Sequence, residues 1–125
     1  MTTWKAARDD AESQSFGLDP FAGFSADVSR IDGRVLVQLG GELDACTSPH
    51  LRSTLLDLID GQGNLALVID LGDLQFMDST GLSVLVTAVL RSRAHGGDVV
   101  LRRPTAATKR LLQVSGMDRV FTISD

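Results

Sequence analysis

Residues 65–86 read LALVIDLGDLQFMDSTGLSVLV, a strand running toward a helix through a short polar junction. The run LALVID at 65–70 is short and almost continuously apolar, the pattern of a strand buried on both faces, as in a parallel sheet. Gly72 suggests a turn after it. Leu82, Leu85, Val86 and Val89 then follow helical spacing and define an apolar face. Gly96-Gly97 breaks that helix near His95.

The same alternation continues on both sides. Upstream, Phe24 to Ile31 alternates as a strand, Asp32-Gly33 is a two-residue hairpin signal, and Val35 to Leu39 is the β-branched return strand. Gly40-Gly41 is expected to end it. Ser48-Pro49 opens a helix, with Ser48 as its cap and Leu51, Leu55, Leu58 and Ile59 on one side, stopped by Gly61 and Gly63. Downstream, Val99 to Leu101 forms a short strand, Thr105 to Ser115 a helix closed by Gly116, and Val120 to Ile123 a final extended segment. The order β-β-α-β-α-β-α, with a small strand at the end, predicts an α/β domain with a mixed sheet flanked by helices.

The chain has 125 residues, a length expected for one domain with a single core. Residues 25–125 form that domain. Residues 1–24 lack either periodicity, mixing charge with Trp4, Phe16, Phe21 and Phe24, and read as a mobile tail. The net charge of −4 supplies no basic excess for a nucleic-acid backbone, which argues against nucleic acid as a partner. Cys46 is the single cysteine, so no disulfide forms within the chain. No apolar run approaches the ~18–20 residues of a membrane helix, and the N-terminus does not resemble a signal peptide. A cytoplasmic protein without membrane attachment is expected.

Two junctions carry chemistry: Gly41-Glu42-Leu43-Asp44, and Phe76-Met77-Asp78-Ser79-Thr80-Gly81-Leu82. Both lie between a strand and a helix, where a rigid sheet presents binding groups. Ser79 falls at the mouth of a helix, whose first N–H groups lack internal partners and whose dipole is positive there. A phosphoryl group on Ser79 would meet those donors. Gly81 would allow close approach. Asp78 would orient the hydroxyl or cap the helix, and capping alone is an ordinary role for Asp-Ser-Thr before an apolar helix.

These segments together resemble the STAS family, and within it the bacterial anti-sigma factor antagonists. The resemblance rests on GELD at 41–44 followed by Thr47, on VIDLGDLQFMDSTGLSVLV at 68–86, on Gly96-Gly97 before a strand, and on ATKRLLQVSGM at 107–117. It implies a STAS-like single α/β domain with a small mixed sheet. It also implies that Ser79, directly after the Asp of D-S-[ST]-G-L, is the phosphoacceptor, with Thr80 the runner-up. The resemblance further implies a partner switch. The unphosphorylated form binds an anti-sigma factor that is also a serine kinase, which frees a sigma factor. Phosphorylation at Ser79 releases the partner, and a metal-dependent serine phosphatase restores the first state. ATP and metal belong to those partners, and no cofactor is expected on this chain. Asp44, Thr47, Met77, Asp78, Ser79, Gly81 and Leu82 are the expected partner surface. Core packing is an equal reading for Met77 and the better one for Leu82.

Other readings remain at this point. A STAS scaffold, stressosome-like subunit or transporter accessory would carry the same motifs without acting on a sigma factor. A serine hydrolase would need a base for Ser79, and only His50 and His95 are on offer, near helix ends and without the first glycine of G-x-S-x-G. Asp44, Cys46 and His50 have ligand chemistry, but three residues without a second cluster are a weak metal signal.

Overall fold

The computed structural model describes residues 23–62 and 65–124. The expectation of a mobile tail at 1–24 falls almost wholly outside them. Asp32 and Gly33 both take positive φ, 52° and 78°, as a two-residue hairpin turn requires. They join β1 (Phe24–Ile31) to β2 (Arg34–Leu43) in antiparallel register, with Ile31 opposite Arg34 and Phe24 opposite Gly41. From there β and α alternate: α1 (Ser48–Gln62), β3 (Ala66–Met77), α2 (Ser79–Ala94), β4 (Asp98–Arg102), α3 (Ala106–Ser115), a 3-10 turn (Met117–Arg119) and β5 (Thr122–Ser124). The sheet order is β1-β2-β3-β4-β5, with every pair after the hairpin parallel. A helix connects each successive parallel pair, and right-handed crossovers, the rule for such connections, put helices in this order on one face. One core cluster accordingly joins Val37, Leu39, Leu67, Ile69 and Leu101 of the sheet to Leu51, Leu55, Leu85, Val89 and Leu112 of the helices.

Two strands are longer than expected, for one reason. Gly40-Gly41 does not end β2, because glycine there serves a close approach. A Cβ on Gly41, at φ 84°, would lie 1.7 Å from the Gly23 carbonyl oxygen, which accepts from Glu42 N–H at 3.1 Å. Nor is there a turn at Gly72, since β3 runs on to Met77. It does so through two irregularities, between Gln38/Gly40 and Gly41/Glu42 of β2, each leaving one extra residue in β3. Buried apolar side chains of β3 therefore fall at Leu67, Ile69, Leu71, Leu74 and Met77, with spacings of two, two, three and three. Gln75 and Phe76 both face outward.

The carboxy-terminal half of β3 extends beyond β4, whose last registered pair is Asp70 with Arg102. Asp70 is almost fully buried there and accepts from Gly72 N–H at 2.8 Å. Its carboxylate also holds Arg102 Nε at 3.2 Å and Arg103 Nε at 3.1 Å. The Arg103 guanidinium covers Gly72 so closely that a Cβ on Gly72 would sit 2.6 Å from it. At the far end of α3, Gly116 takes φ 75° and closes the helix as expected.

Candidate functional site

The parallel pairing of β2 with β3 puts their carboxyl ends side by side, with Leu43 opposite Met77. The two junctions singled out above are thereby neighbours, as ligand-binding loops at the carboxyl edge of α/β sheets often are. Asp78 N–H donates to Leu43 C=O at 3.1 Å and fastens one junction to the other.

The first junction, Asp44 to Thr47, is an internally bonded turn. Asp44 Oδ1 accepts Cys46 N–H at 2.9 Å and Thr47 N–H at 3.1 Å. Thr47 Oγ1 accepts Asp44 N–H at 2.9 Å and donates to Glu42 C=O at 2.9 Å. Thr47 is buried and holds this turn from inside. The Thr47 carbonyl accepts Leu51 N–H at 3.4 Å, so α1 begins one residue earlier than expected, and Ser48 is its first residue, not its cap. Buried Ser48 places its hydroxyl 3.5 Å from Thr80 Oγ1, a second tie between the junctions.

In the second junction, Asp78 is the N-cap of α2 in extended conformation. Its Oδ1 accepts Thr80 N–H at 2.9 Å, Gly81 N–H at 3.2 Å, and the Thr80 hydroxyl. The Thr80 hydroxyl foremost holds the Asp78 carboxyl below its ordinary value of 3.8; burial, the next effect in size, pushes the other way, and the Gly81 and Thr80 amides add to the lowering. Two of the first helix amides, expected to be open to an anion, are therefore already occupied. Ser79 is exposed, and its hydroxyl has no hydrogen-bond partner among the described residues. Thr80 is also exposed, but its hydroxyl is committed to Asp78.

The other expected surface residues divide by burial. Asp44 and Asp78 are half-buried, while Met77, Gly81 and Leu82 are buried. Met77 and Leu82 belong to the core cluster. A Cβ on Gly81 would lie 2.7 Å from Leu43 Cγ and 2.9 Å from Met77 Cγ, so Gly81 is small in order to seat α2 against the two strand ends. Glu42 and Phe76, registered partners on β2 and β3, are exposed and escaped sequence reading. Their outward placement follows from the register shift between Gly41 and Glu42, which the sequence alone does not display.

His95 lies at the far end of α2 from Ser79, about 24 Å along a 16-residue helix, and sits 3.4 Å from Asp60. His50 is exposed in the first turn of α1. Among the described residues, no three or more His, Cys, Asp or Glu side chains are placed to hold a metal ion. No helix among them is long and apolar enough to cross a membrane.

A single α/β layer pair with a capped helix mouth beside a second, parallel strand end is the class of fold defined here. The chain belongs to the STAS domain family, whose profile matches residues 25–125. It is similar to the anti-sigma-B factor antagonist of Bacillus subtilis, 30% identical over 100 residues, covering 80% of this chain and 90% of that one. It is likewise similar to the anti-sigma F factor antagonist of Paenibacillus polymyxa, 33% identical over 93 residues, covering 74% and 80%. Among solved structures, an anti-sigma factor antagonist from Mycobacterium paratuberculosis superposes with a TM-score of 0.73 at 28% identity, covering 81% of this chain and 85% of that one.

Proposed function

We propose that this chain is a cytoplasmic, non-catalytic anti-sigma factor antagonist whose grip on an anti-sigma factor is switched by phosphorylation of Ser79. The observation that carries the choice of residue is the contrast at the helix mouth: the Ser79 hydroxyl is exposed and uncommitted, whereas the Thr80 hydroxyl is held by Asp78. The partner is an anti-sigma factor that is also a serine kinase, and a metal-dependent serine phosphatase reverses the step. Kinship with named antagonists supports the partner class.

The switch is local. Asp44, Asp78 and Ser79 meet the partner directly, while Thr47, Met77, Gly81 and Leu82 set the shape of the loops beneath them. Phosphorylation adds roughly −1.5 to −2 charges at pH 7. Asp78 has already taken the Thr80 and Gly81 amides, so those donors do not offset the new charge while the cap stays in place. Enclosing that group beside Asp78 in an interface costs solvation and adds repulsion. A penalty of about 2.7 kcal/mol is enough for a hundredfold loss of affinity. Affinity thus changes far more than shape.

The test is incubation with candidate anti-sigma kinases and ATP, followed by mass spectrometry and a binding assay. Modification at Ser79, its loss in Ser79→Ala, and release of the partner on phosphorylation are expected. Equal binding of the modified and unmodified chains, or modification elsewhere, overturns the proposal.

A further inference from the structure

Four large apolar side chains are well exposed among the described residues: Ile31, Phe76, Leu90 and Val114. Ile31 lies at the hairpin tip, at the opposite end of β2 from Leu43. Leu90 is three turns along α2 from Ser79, and Val114 is in the last turn of α3. Phe76 alone lies at the carboxyl edge of the sheet, three residues before Ser79, and it is 51% exposed.

Its exposure is built into the strand. The second β3 irregularity leaves Gln75 and Phe76 together on the outward side while Leu74 and Met77 anchor the backbone inward. Bulges commonly re-aim side chains next to functional sites. The two strand-end segments that carry Phe76 and its register partner hold charge of one sign. Its register partner is the exposed Glu42, and Asp44, Asp73 and Asp78 lie in the same two segments. Residues 35–51 and 71–90 contain no lysine or arginine. Arg103, just past the end of β4, reaches Gly72, shares the Asp70 carboxylate with Arg102 and also interacts with Asp73.

We infer that Phe76 is the apolar anchor of the anti-sigma factor interface, filling an apolar pocket of the partner rimmed by lysine or arginine. This rests on the proposed function and adds a determinant of affinity that the phosphorylation motif does not contain. A rigid aromatic ring inside a polar rim is the usual composition of an interface hot spot. Complementary charge selects the partner's face, and the ring supplies the area that must be desolvated. Closure of that contact next to Ser79 excludes water from the hydroxyl, which is the condition under which an added phosphate is most damaging.

The experiment measures binding of full-length wild type, Phe76→Ala and Phe76→Lys to the anti-sigma factor kinase that phosphorylates Ser79, with thermal unfolding in parallel. Affinity at least tenfold weaker for Phe76→Ala, and weaker still for Phe76→Lys, is expected with an unchanged melting temperature and modification still confined to Ser79. Wild-type binding with Phe76→Ala within twofold of it overturns the anchor while leaving the proposed function intact. Failure of the wild type to bind any such kinase overturns both. A wild-type dimer in sedimentation that Phe76→Ala dissolves overturns the anchor in favour of a second copy as the occupant.

Discussion

Asp78 accepts the Thr80 hydroxyl on Oδ1, the same oxygen that receives the Thr80 and Gly81 amides. One carboxylate oxygen therefore caps the helix and immobilises the second hydroxyl of the motif. Replacing Thr80 with valine removes the strongest of the contacts that depress the Asp78 carboxyl. In an NMR titration, the Asp78 carboxyl of Thr80→Val should move up toward its ordinary value. Under the proposed switch, phosphorylation should still fall on Ser79 in that variant.

The cap has its own pH signature. The folded-state pKa of Asp78 lies below 3.8, so its charged form contributes stability above the unfolded value and loses it as pH falls through the lower folded one. Asp78→Ala should cost about 1 kcal/mol at pH 7, as for other N-cap deletions. Urea unfolding at pH 7 and near pH 3 should show the gap between wild type and variant shrinking at acid pH. Asp78 stands near the surface, so solvent screens the purely electrostatic share and the hydrogen bonds carry most of the effect.

Two helical glycines should respond to alanine with opposite sign. At Gly81 the new methyl would lie 2.7 Å from Leu43 Cγ and 2.8 Å from Leu43 Cδ2, and Leu43 is fully buried. Overpacking of this kind costs roughly 1–3 kcal/mol, against a helix-propensity gain of at most about 1 kcal/mol. At Gly61, late in α1, nothing lies within 4 Å. Gly61→Ala should stabilise by a few tenths to about 1 kcal/mol. Denaturant midpoints for the pair decide it.

These contrasts also mark how far the sequence could be read. The hairpin at Asp32-Gly33, the three helices and the Gly116 stop were legible, because each depends on turn chemistry or a 3.6-residue period within one segment. The full length of β3 was not. Its inward residues Leu67, Ile69, Leu71, Leu74 and Met77 change spacing partway, and that change exists only in register with β2. Gly41 misled for a similar reason: its need for a missing side chain comes from Gly23, distant in sequence. At the site, the position of Ser79 at the helix mouth and the capping role of Asp78 were legible from their motif. The outward pair Gln75 and Phe76 depends on the same unseen bulge.

Asp70 is a second point where the fold depends on a single carboxylate. Removing it leaves Gly72 N–H without its acceptor and releases two guanidinium groups that hold β4 against β3. Asp70→Ala should destabilise by roughly 1–3 kcal/mol, the cost of leaving a partly buried donor unpaired and losing two charge-assisted hydrogen bonds. The arginines themselves reach solvent, which keeps the loss below that of a fully buried ion pair. Thermal unfolding should show the loss, while partner affinity at a temperature where the variant is folded should match wild type. A large affinity change with unaltered stability would reverse this assignment.

The acidic charge of the segments that carry Phe76 and Glu42 bears on the kinetics of association. Glu42, Asp44, Asp73 and Asp78 lie in segments that contain no lysine or arginine, so an approaching basic surface meets a mainly attractive field. That field is felt over a Debye length of about 10 Å at 0.1 M salt but only about 3 Å at 1 M. The association rate constant with the anti-sigma factor should therefore fall several-fold across that range, and the dissociation rate should change little. Glu42→Gln combined with Asp73→Asn should flatten the salt dependence, whereas Phe76→Ala should act chiefly on dissociation. Stopped-flow binding at several ionic strengths separates the two. A salt-independent association rate would mean that the acidic rim does not face the partner.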